Sequence, residues 1–346
     1  MLLVSRHDTS RARSRTTASI ADVARAANVS IATVSRVFNS PDLVAAATTD
    51  RVLQAVRELG YQPNAIARAL MTNRSQIIGI ALPDIHGEFY SEILRGADSE
   101  ARAHGLRLLI ASEAREGEGA GSQTGLPYSL IDGLAVMITE PNQPLWLEAR
   151  SCGVPVCVLD LEVAEPGVDN VLVDNVSGAR EATQHLLARA PASRCYFVGG
   201  AEANFDSQQR ARGFRTLVEQ RAGPLRPEQI AFGDYTSEWG RRWAEENILA
   251  RGLRASAVLA GNDEIAMGVL FAVREAGLRV PEDVAVVGFD NTRLCGIVRP
   301  TISSVRIPLR ELGAMAIILL LRRIAEPDCE PQRVRLAAQL VARESS

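Results

Sequence analysis

Apolar residues recur at helical spacing soon after the start of the chain. Ile20, Val23, Ala24 and Ala27 fall at i, i+3, i+4 and i+7, which is one face of an α-helix. Ser19 stands three residues before Asp22, the spacing at which each side chain satisfies an orphan backbone amide. Asn28 and Val29 make a turn. Ser30 then caps a second helix, IATVSRVFN, with Val34, Val37 and Phe38 inward and Ile31, Ala32, Ser35 and Arg36 outward. A third helix ends at Gly60, with Val52, Leu53 and Val56 expected to close a small core. Two short helices joined by a tight turn predict a helix-turn-helix, although the pattern alone also fits any three-helix mini-domain.

From Ile77 the period changes. IIGIAL is a β-branched run, Phe89 to His104 reads as a helix, and LRLLIAS as a strand. DGLAVMI, VPVCVLD, NVLVD, RCYFVGG, AVLAG and VAVVGFD are further apolar runs, most separated by helical stretches. Such alternation predicts parallel sheets covered by helices on both faces, and the two clusters of strands predict two lobes. The expected class is α/β: an all-α helix-turn-helix headpiece followed by a two-lobed sensor of doubly wound parallel sheets.

Charge sharpens the division. Residues 1–76 hold ten arginines against five acids, a surplus of +5. The remainder holds 28 against 36, a deficit of −8, and the two give the formal net charge of −3. There is no lysine, so apart from four histidines every basic side chain is a permanently charged, planar guanidinium. A basic head on an acidic body predicts that the head meets a polyanion. Residues 5–18 are polar, arginine-rich and aperiodic, and residues 1–18 read as a disordered basic arm.

The longest apolar run of helical character, Met315 to Leu321, is too short to span a bilayer, and no signal-peptide core follows Met1 to Val4. A cytoplasmic protein is expected. The five scattered cysteines form no CxxC pair, and no metal or other cofactor is expected. GxGxxG after a strand, GxxxxGK[ST], HExxH and GxSxG are all missing, so the sequence does not read as an enzyme.

The segments SIADVARAANVSIATVSRVFN and RVLQAVRELGYQPNAIARAL resemble the lactose/galactose repressor family. The resemblance continues through IIGIALPDI, VLVDNVSGAR, RARGF, AGNDEIAMGVL, AVREAGLRVPEDVAVVGFDN, RPTISSVRIP and LVARESS, in order, over residues 19–345. It implies a DNA-binding headpiece at 19–62, a hinge helix and linker at 63–76, and an effector-binding and dimerisation body at 77–346. The body's lobes would comprise about 77–174 with 306–336, and 175–305 with 337–346.

In such proteins the second helix enters the major groove. The matching residues are Ile31, Ala32 and Arg36. Arg36 reaches either a guanine edge or a phosphate, and Ile31 and Ala32 would read thymine methyls and shape. Ser30, Thr33, Ser35 and Asn39 are small polar groups suited to the backbone. NAIARAL, read alone, is a linker. The resemblance implies a hinge helix in which Leu70 wedges into a minor-groove step while Asn64 and Arg68 touch phosphates. Ala45 stands where the family usually has a serine that caps the third helix; Thr48 or Thr49 offers a later start.

For the body the resemblance implies a fold similar to periplasmic sugar-binding proteins, with a small-molecule effector between the lobes. The ends of the strands select Asp84, Phe89, Tyr90, Asp160, Asn262 and Asp290 as candidates, and the resemblance adds Arg210, in RARGF, and Tyr235, after Gly233-Asp234, at positions the family uses on the ligand. Each has a structural alternative: turn caps for Asp160 and Asp290, a helix cap for Asn262, core packing for Phe89 and Tyr235, an ion pair for Arg210. Two stretches depart from the family pattern: the glycine-rich residues 113–125, and Ile85-His86-Gly87-Glu88 beside the cleft.

The partners implied are operator DNA, a sugar or related polyol, and a second copy of the chain, with no membrane. The apolar helix Leu312 to Leu321 is expected to offer surface for that dimer. The effector would release a repressor from DNA, or tighten it as a corepressor. A solute-binding protein without DNA function would need a secretion signal and no headpiece, the reverse of what stands here.

Overall fold

The computed structural model describes residues 18–39, 41–61, 74–112, 125–141 and 143–346. The arm 1–17, the hinge residues Asn64, Arg68 and Leu70, the stretch 113–124 and the side chain of Asn39 lie outside the described residues. The chain folds as two units, one ending at Ser75 and one beginning at Gln76.

The first unit contains three α-helices among its described residues: α1 (Ile20–Ala26), α2 (Ile31–Asn39) and α3 (Ala46–Leu59). The reciprocal cap forms at the start of α1. Ser19 N donates to Asp22 Oδ2 at 3.0 Å, and Asp22 N donates to Ser19 Oγ at 3.3 Å. Asn28, at φ 52°, supplies the left-handed residue that turns α1 into α2. Ser30 Oγ then accepts from Thr33 N at 3.1 Å. Val23, Val34 and Val52 are fully buried, with Ala24, Ala27, Val37 and Ala55 nearly so. Leu53 is a correction: it is 36% exposed, and Val52, Ala55 and Val56 carry the contact instead. On a helix, residue 53 stands about 100° around the axis from residue 52, so the two cannot share one narrow buried stripe. The third helix starts at once, at Ala46, with no side-chain cap at Ala45, and stops at Gly60 in the left-handed conformation.

The second unit holds two six-stranded sheets. The first has the order β11-β5-β4-β3-β1-β2, all parallel: β1 (Ile77–Leu82), β2 (Arg107–Ser112), β3 (Gly133–Met137), β4 (Val156–Leu159), β5 (Val168–Val173) and β11 (Arg333–Leu336). The second has the order β12-β10-β9-β8-β6-β7: β6 (Cys195–Gly199), β7 (Ile230–Phe232), β8 (Ser256–Ala260), β9 (Val284–Asp290), β10 (Ser303–Arg306) and β12 (Gln339–Val341). Only the β10–β12 pairing is antiparallel. β3, β4, β6, β8 and β9 are buried throughout, as strands covered on both faces must be.

The chain passes between the lobes after β5, after β10 and between β11 and β12. After β10 it enters α11 (Leu309–Ala325), which packs on α4 (Gly87–Ala103) and on β3 to β5. Gly96 and Gly313 let these two helices touch backbone to backbone: a Cβ on Gly96 would sit 2.0 Å from the Arg310 carbonyl, and one on Gly313 2.1 Å from that of Ile93. This contact absorbs the apolar surplus that the sequence assigned to a dimer face. Leu312, Ala316, Ile317, Leu319 and Leu320 are buried within the chain, and Ile318, 41% exposed, is the one large hydrophobic of α11 that stays exposed.

The last turn of α11 is fixed by a buried fork. Arg323 Nε and Nη2 donate to Asp169 Oδ2 and Oδ1 on β5 at 2.7 and 3.0 Å, and Gln332 N donates to the same carboxylate at 2.7 Å. Removing one partner of such a pair strands the other charge. Asp169→Ala is therefore expected to cost about 3–5 kcal/mol, seen as a lower urea midpoint for the second unit. Ala45→Ser is expected to add about 1 kcal/mol to the headpiece by capping α3, seen as a higher thermal midpoint of its transition.

Candidate functional site

In the first unit α2 presents a face that its own core does not use. Val34 and Val37 are buried, while Ile31 is 51% exposed and Ala32 and Arg36 are also exposed. Thr33 and Ser35 are half-buried, and the Ser30 and Thr33 hydroxyls share a hydrogen bond of 2.9 Å at the helix N-terminus. The result is a short rod with an apolar tip and one guanidinium on its outer side, dimensions that suit a major groove.

In the second unit a cavity of about 410 Å³ opens between the lobes. Strand ends build it. Asp84 follows β1, Asp160 follows β4, Asn262 follows β8 and Asp290 closes β9. Asp160 and Asp290 hold φ of 69° and 98°, conformations costly for residues with a side chain and common where function requires them. Phe89 and Tyr90 enter from α4 as an edge-to-face pair, with centroids 5.1 Å apart. Tyr235, after β7, donates its hydroxyl to Asn204 Oδ1 at 3.0 Å.

Arg210, on α7 (Phe205–Ala222), is the centre of this arrangement and is only 3% exposed. Its Nε donates to Asn175 Oδ1 at 2.8 Å, Nη1 to the Gly261 carbonyl at 2.6 Å and Nη2 to Asp206 Oδ2 at 3.3 Å. Its guanidinium carbon lies 4.1 Å from the centre of the Phe289 ring. Asp290 Oδ1 is 3.8 Å from Nη1, an ion pair beyond hydrogen-bond length.

Two sequence models match. A model of bacterial regulatory proteins of the lacI family covers residues 19–64, and a periplasmic binding protein-like domain covers 183–346. The ribose operon repressor of Escherichia coli K12 is 33% identical over 332 residues, 95% of this chain and 100% of that one. The chain belongs to the lacI family. Among solved structures, a Lac repressor dimer bound to operator and the anti-inducer ONPF matches with a TM-score of 0.83 at 26% identity, over 95% of this chain and 99% of that one. A complex of the transcriptional regulator CelR with cellobiose matches with a TM-score of 0.70 at 29% identity, over 95% and 100% of the two chains. The family consists of regulators rather than enzymes. No helix among the described residues is long and apolar enough to cross a membrane.

All eight residues picked for an effector line the one cavity. Several also have structural partners. Asn262 Oδ1 caps α9 (Asp263–Glu275) by accepting from Ile265 N at 2.9 Å, and its amide donates to the Tyr235 carbonyl at 3.1 Å. The sequence reading missed Asp206, Asn204, Thr139 and Thr292. Asp206 had a visible signal, since it precedes Arg210 by one helical turn, the spacing of an intrahelical ion pair. Glu88 joins the lobes: both carboxylate oxygens accept from Arg293 N, at 3.0 and 2.9 Å.

The carboxyls differ in state. Burial pushes Asp84 up, but hydrogen bonds from the His86 ring and from the His86 and Ile85 amides outweigh it and hold it below its usual range. Asp160 is pushed well above that range by burial and by the charge of Asp206, with Arg210 opposing. Burial raises Asp290 well above it too, again against Arg210. The folded state therefore keeps protons that the unfolded chain releases. This contribution falls as pH rises from the ordinary carboxylate range through the folded values. Asp160→Asn is expected to raise the effector-free thermal midpoint at pH 7 and to flatten its decline between mildly acidic and neutral pH. A lower midpoint at pH 7 would show that Asp160 is ionised and well compensated.

Proposed function

We propose that this chain is a homodimeric, cytoplasmic repressor that grips an operator through α2 and lets go when a small hydroxylated effector fills the cavity. The observation that carries the reading is the outer face of α2. Ile31, Ala32 and Arg36 are exposed on a helix whose opposite side is core, within the segment that matches the lacI family model. Arg36 reads a guanine through two parallel hydrogen bonds, and Ile31 and Ala32 read thymine methyls. Ser30, Thr33, Ser35 and Asn39 set the register on phosphates. Asn64, Arg68 and Leu70 belong to a hinge that orders on DNA, with Leu70 as the wedge.

Two half-sites require two recognition helices, hence the dimer. The comparison with an operator-bound Lac repressor dimer supports it. The effector class is supported by the polar strand ends with aromatic faces around one cavity, and by relatives described as a ribose operon repressor and a cellobiose complex. Asp84, Phe89, Tyr90, Asp160, Arg210, Tyr235, Asn262 and Asp290 hold the effector. Closure is sensed where Glu88 of one lobe meets the Arg293 amide of the other. A coupling of a few kcal/mol between cavity and hinge is enough to switch occupancy.

Selection from random duplexes is expected to yield one palindromic site, with affinity falling steeply as salt is added. Arg36→Ala should relax choice at one base pair per half-site, by about 1–3 kcal/mol of discrimination. A protein with no preferred duplex at moderate ionic strength would overturn the reading. An effector that tightens binding would make the chain corepressor-dependent.

A further inference from the structure

The lobes already meet at the mouth of the cavity. Glu88 of one accepts from Arg293 N of the other at 3.0 and 2.9 Å. Beside it, a Cβ on Gly87 would stand 3.8 Å from Glu264 Oε1 across the gap. The volume of about 410 Å³ is therefore that of a nearly shut chamber and not of a gaping cleft. Such a volume bounds what fills it. A CHOH unit of a sugar takes up about the room of one water molecule in the liquid, about 30 Å³. The chamber then holds about thirteen such units. A single pentose or hexose would leave more than half of it to water. Two linked hexoses fill it, and three do not fit.

The chamber also has two chemically distinct ends. At the inner end Asp160, Asp206 and Arg210 are 5%, 8% and 3% exposed. Asp160 Oδ1 and Asp290 Oδ1 are buried there without a hydrogen-bond partner among the described residues, which leaves them for the hydroxyls of a ring. Tyr90 stands near both. Its edge-to-face partner Phe89 leads back along α4 to the mouth.

At the outer end His86, Gly87 and Glu264 are exposed, the first two from one lobe and the third from the other. The His86 ring is steadied by Asp84 Oδ1 at 3.0 Å. The Glu264 carboxyl forms no hydrogen bond or ion pair among the described residues. A lone ring on the inner groups would leave both facing water. A phosphate or carboxylate in the outer half does not suit them: Arg210 is the sole guanidinium of the lining and lies at the inner end, so the anion would face Glu88 and Glu264 instead.

We propose that the effector is a neutral disaccharide, with one ring on Asp160, Arg210 and Asp290 and the second held between His86 and Glu264 at the mouth. This rests on the effector-gated reading above and narrows the effector's class. Gly87 leaves the second ring the space that a side chain would take.

The test uses the full chain and matched neutral and charged probes: cellobiose, maltose, lactose, melibiose, trehalose and sucrose; their components glucose, galactose and fructose, with ribose; the trisaccharides maltotriose and raffinose; and glucose 6-phosphate. Affinity is read by calorimetry and operator release by DNA binding. At least one disaccharide is expected to bind tenfold or more tightly than each of its component sugars, than either trisaccharide and than glucose 6-phosphate. Glu264→Ala should weaken that disaccharide at least fivefold while leaving its component sugars within twofold. His86→Ala should do the same and provides the check if Glu264→Ala disturbs the fold. A monosaccharide, trisaccharide or sugar phosphate that equals the best disaccharide, equal losses for both sugar sizes in the two variants, or no binder in the panel, overturns the assignment. A monosaccharide that binds best and releases operator would remove the second ring and leave the effector-gated repressor standing. A disaccharide that binds as expected without changing operator affinity would do the reverse.

Discussion

A single buried guanidinium organises the body of this protein. Arg210 cannot shed its proton, so every group around it must accept a hydrogen bond or supply negative charge. It does this for four parts of one lobe at once: Asn175 at the start of α6 (Asn175–Leu186), Asp206 on its own helix, the carbonyl of Gly261 after β8, and Asp290 at the end of β9. Asn175 also donates to Asp206 at 2.8 Å, which closes the ring of contacts. The floor of the cavity is thereby rigid before any ligand arrives. What remains adjustable is the opposite wall, where Asp160, Phe89 and Tyr90 belong to the other lobe.

The strength of each sequence signal followed the apolar content of the segment more than its burial: β2 was legible without a fully buried residue, and β10 was not although most of it is buried. β1, β2, β3, β4, β5, β6, β8 and β9 were legible because most are predominantly apolar runs, five of them buried along their whole length. β7, β10, β11 and β12 have three or four residues each, and two of them read SSVR and RVRL. Such short, polar stretches are strands only because a neighbouring edge accepts them, and tertiary context of that kind leaves no local pattern. β11 and β12 each complete a sheet begun more than a hundred residues earlier in the chain.

The cavity was legible for a different reason. Asp84, Asp160, Asn262 and Asp290 end or closely follow apolar runs, where ligands in open α/β lobes gather, while Arg210 and Tyr235 were legible through the family resemblance. Asp206 and Asn204 escaped because they come just before and within the first turn of a helix, where a small polar or acidic residue is expected simply as a cap. Asn204 does cap α7, accepting from Ser207 N at 2.9 Å, and holds Tyr235 as well. The apolar surplus of α11 misled in the opposite direction. Nothing in a single helix reveals that glycines on it and on α4 will let the pair sink into each other.

The threefold passage of the chain between the lobes has an evolutionary reading. Neither lobe is one continuous stretch of gene, since each sheet is finished by a strand contributed after the chain has visited the other. A single crossover cannot transplant one lobe and leave its partner intact. The headpiece, by contrast, is an uninterrupted segment that ends before Gln76. Recombination can therefore join a new operator to an old effector in one event, while new effectors must arise by substitution around the cavity.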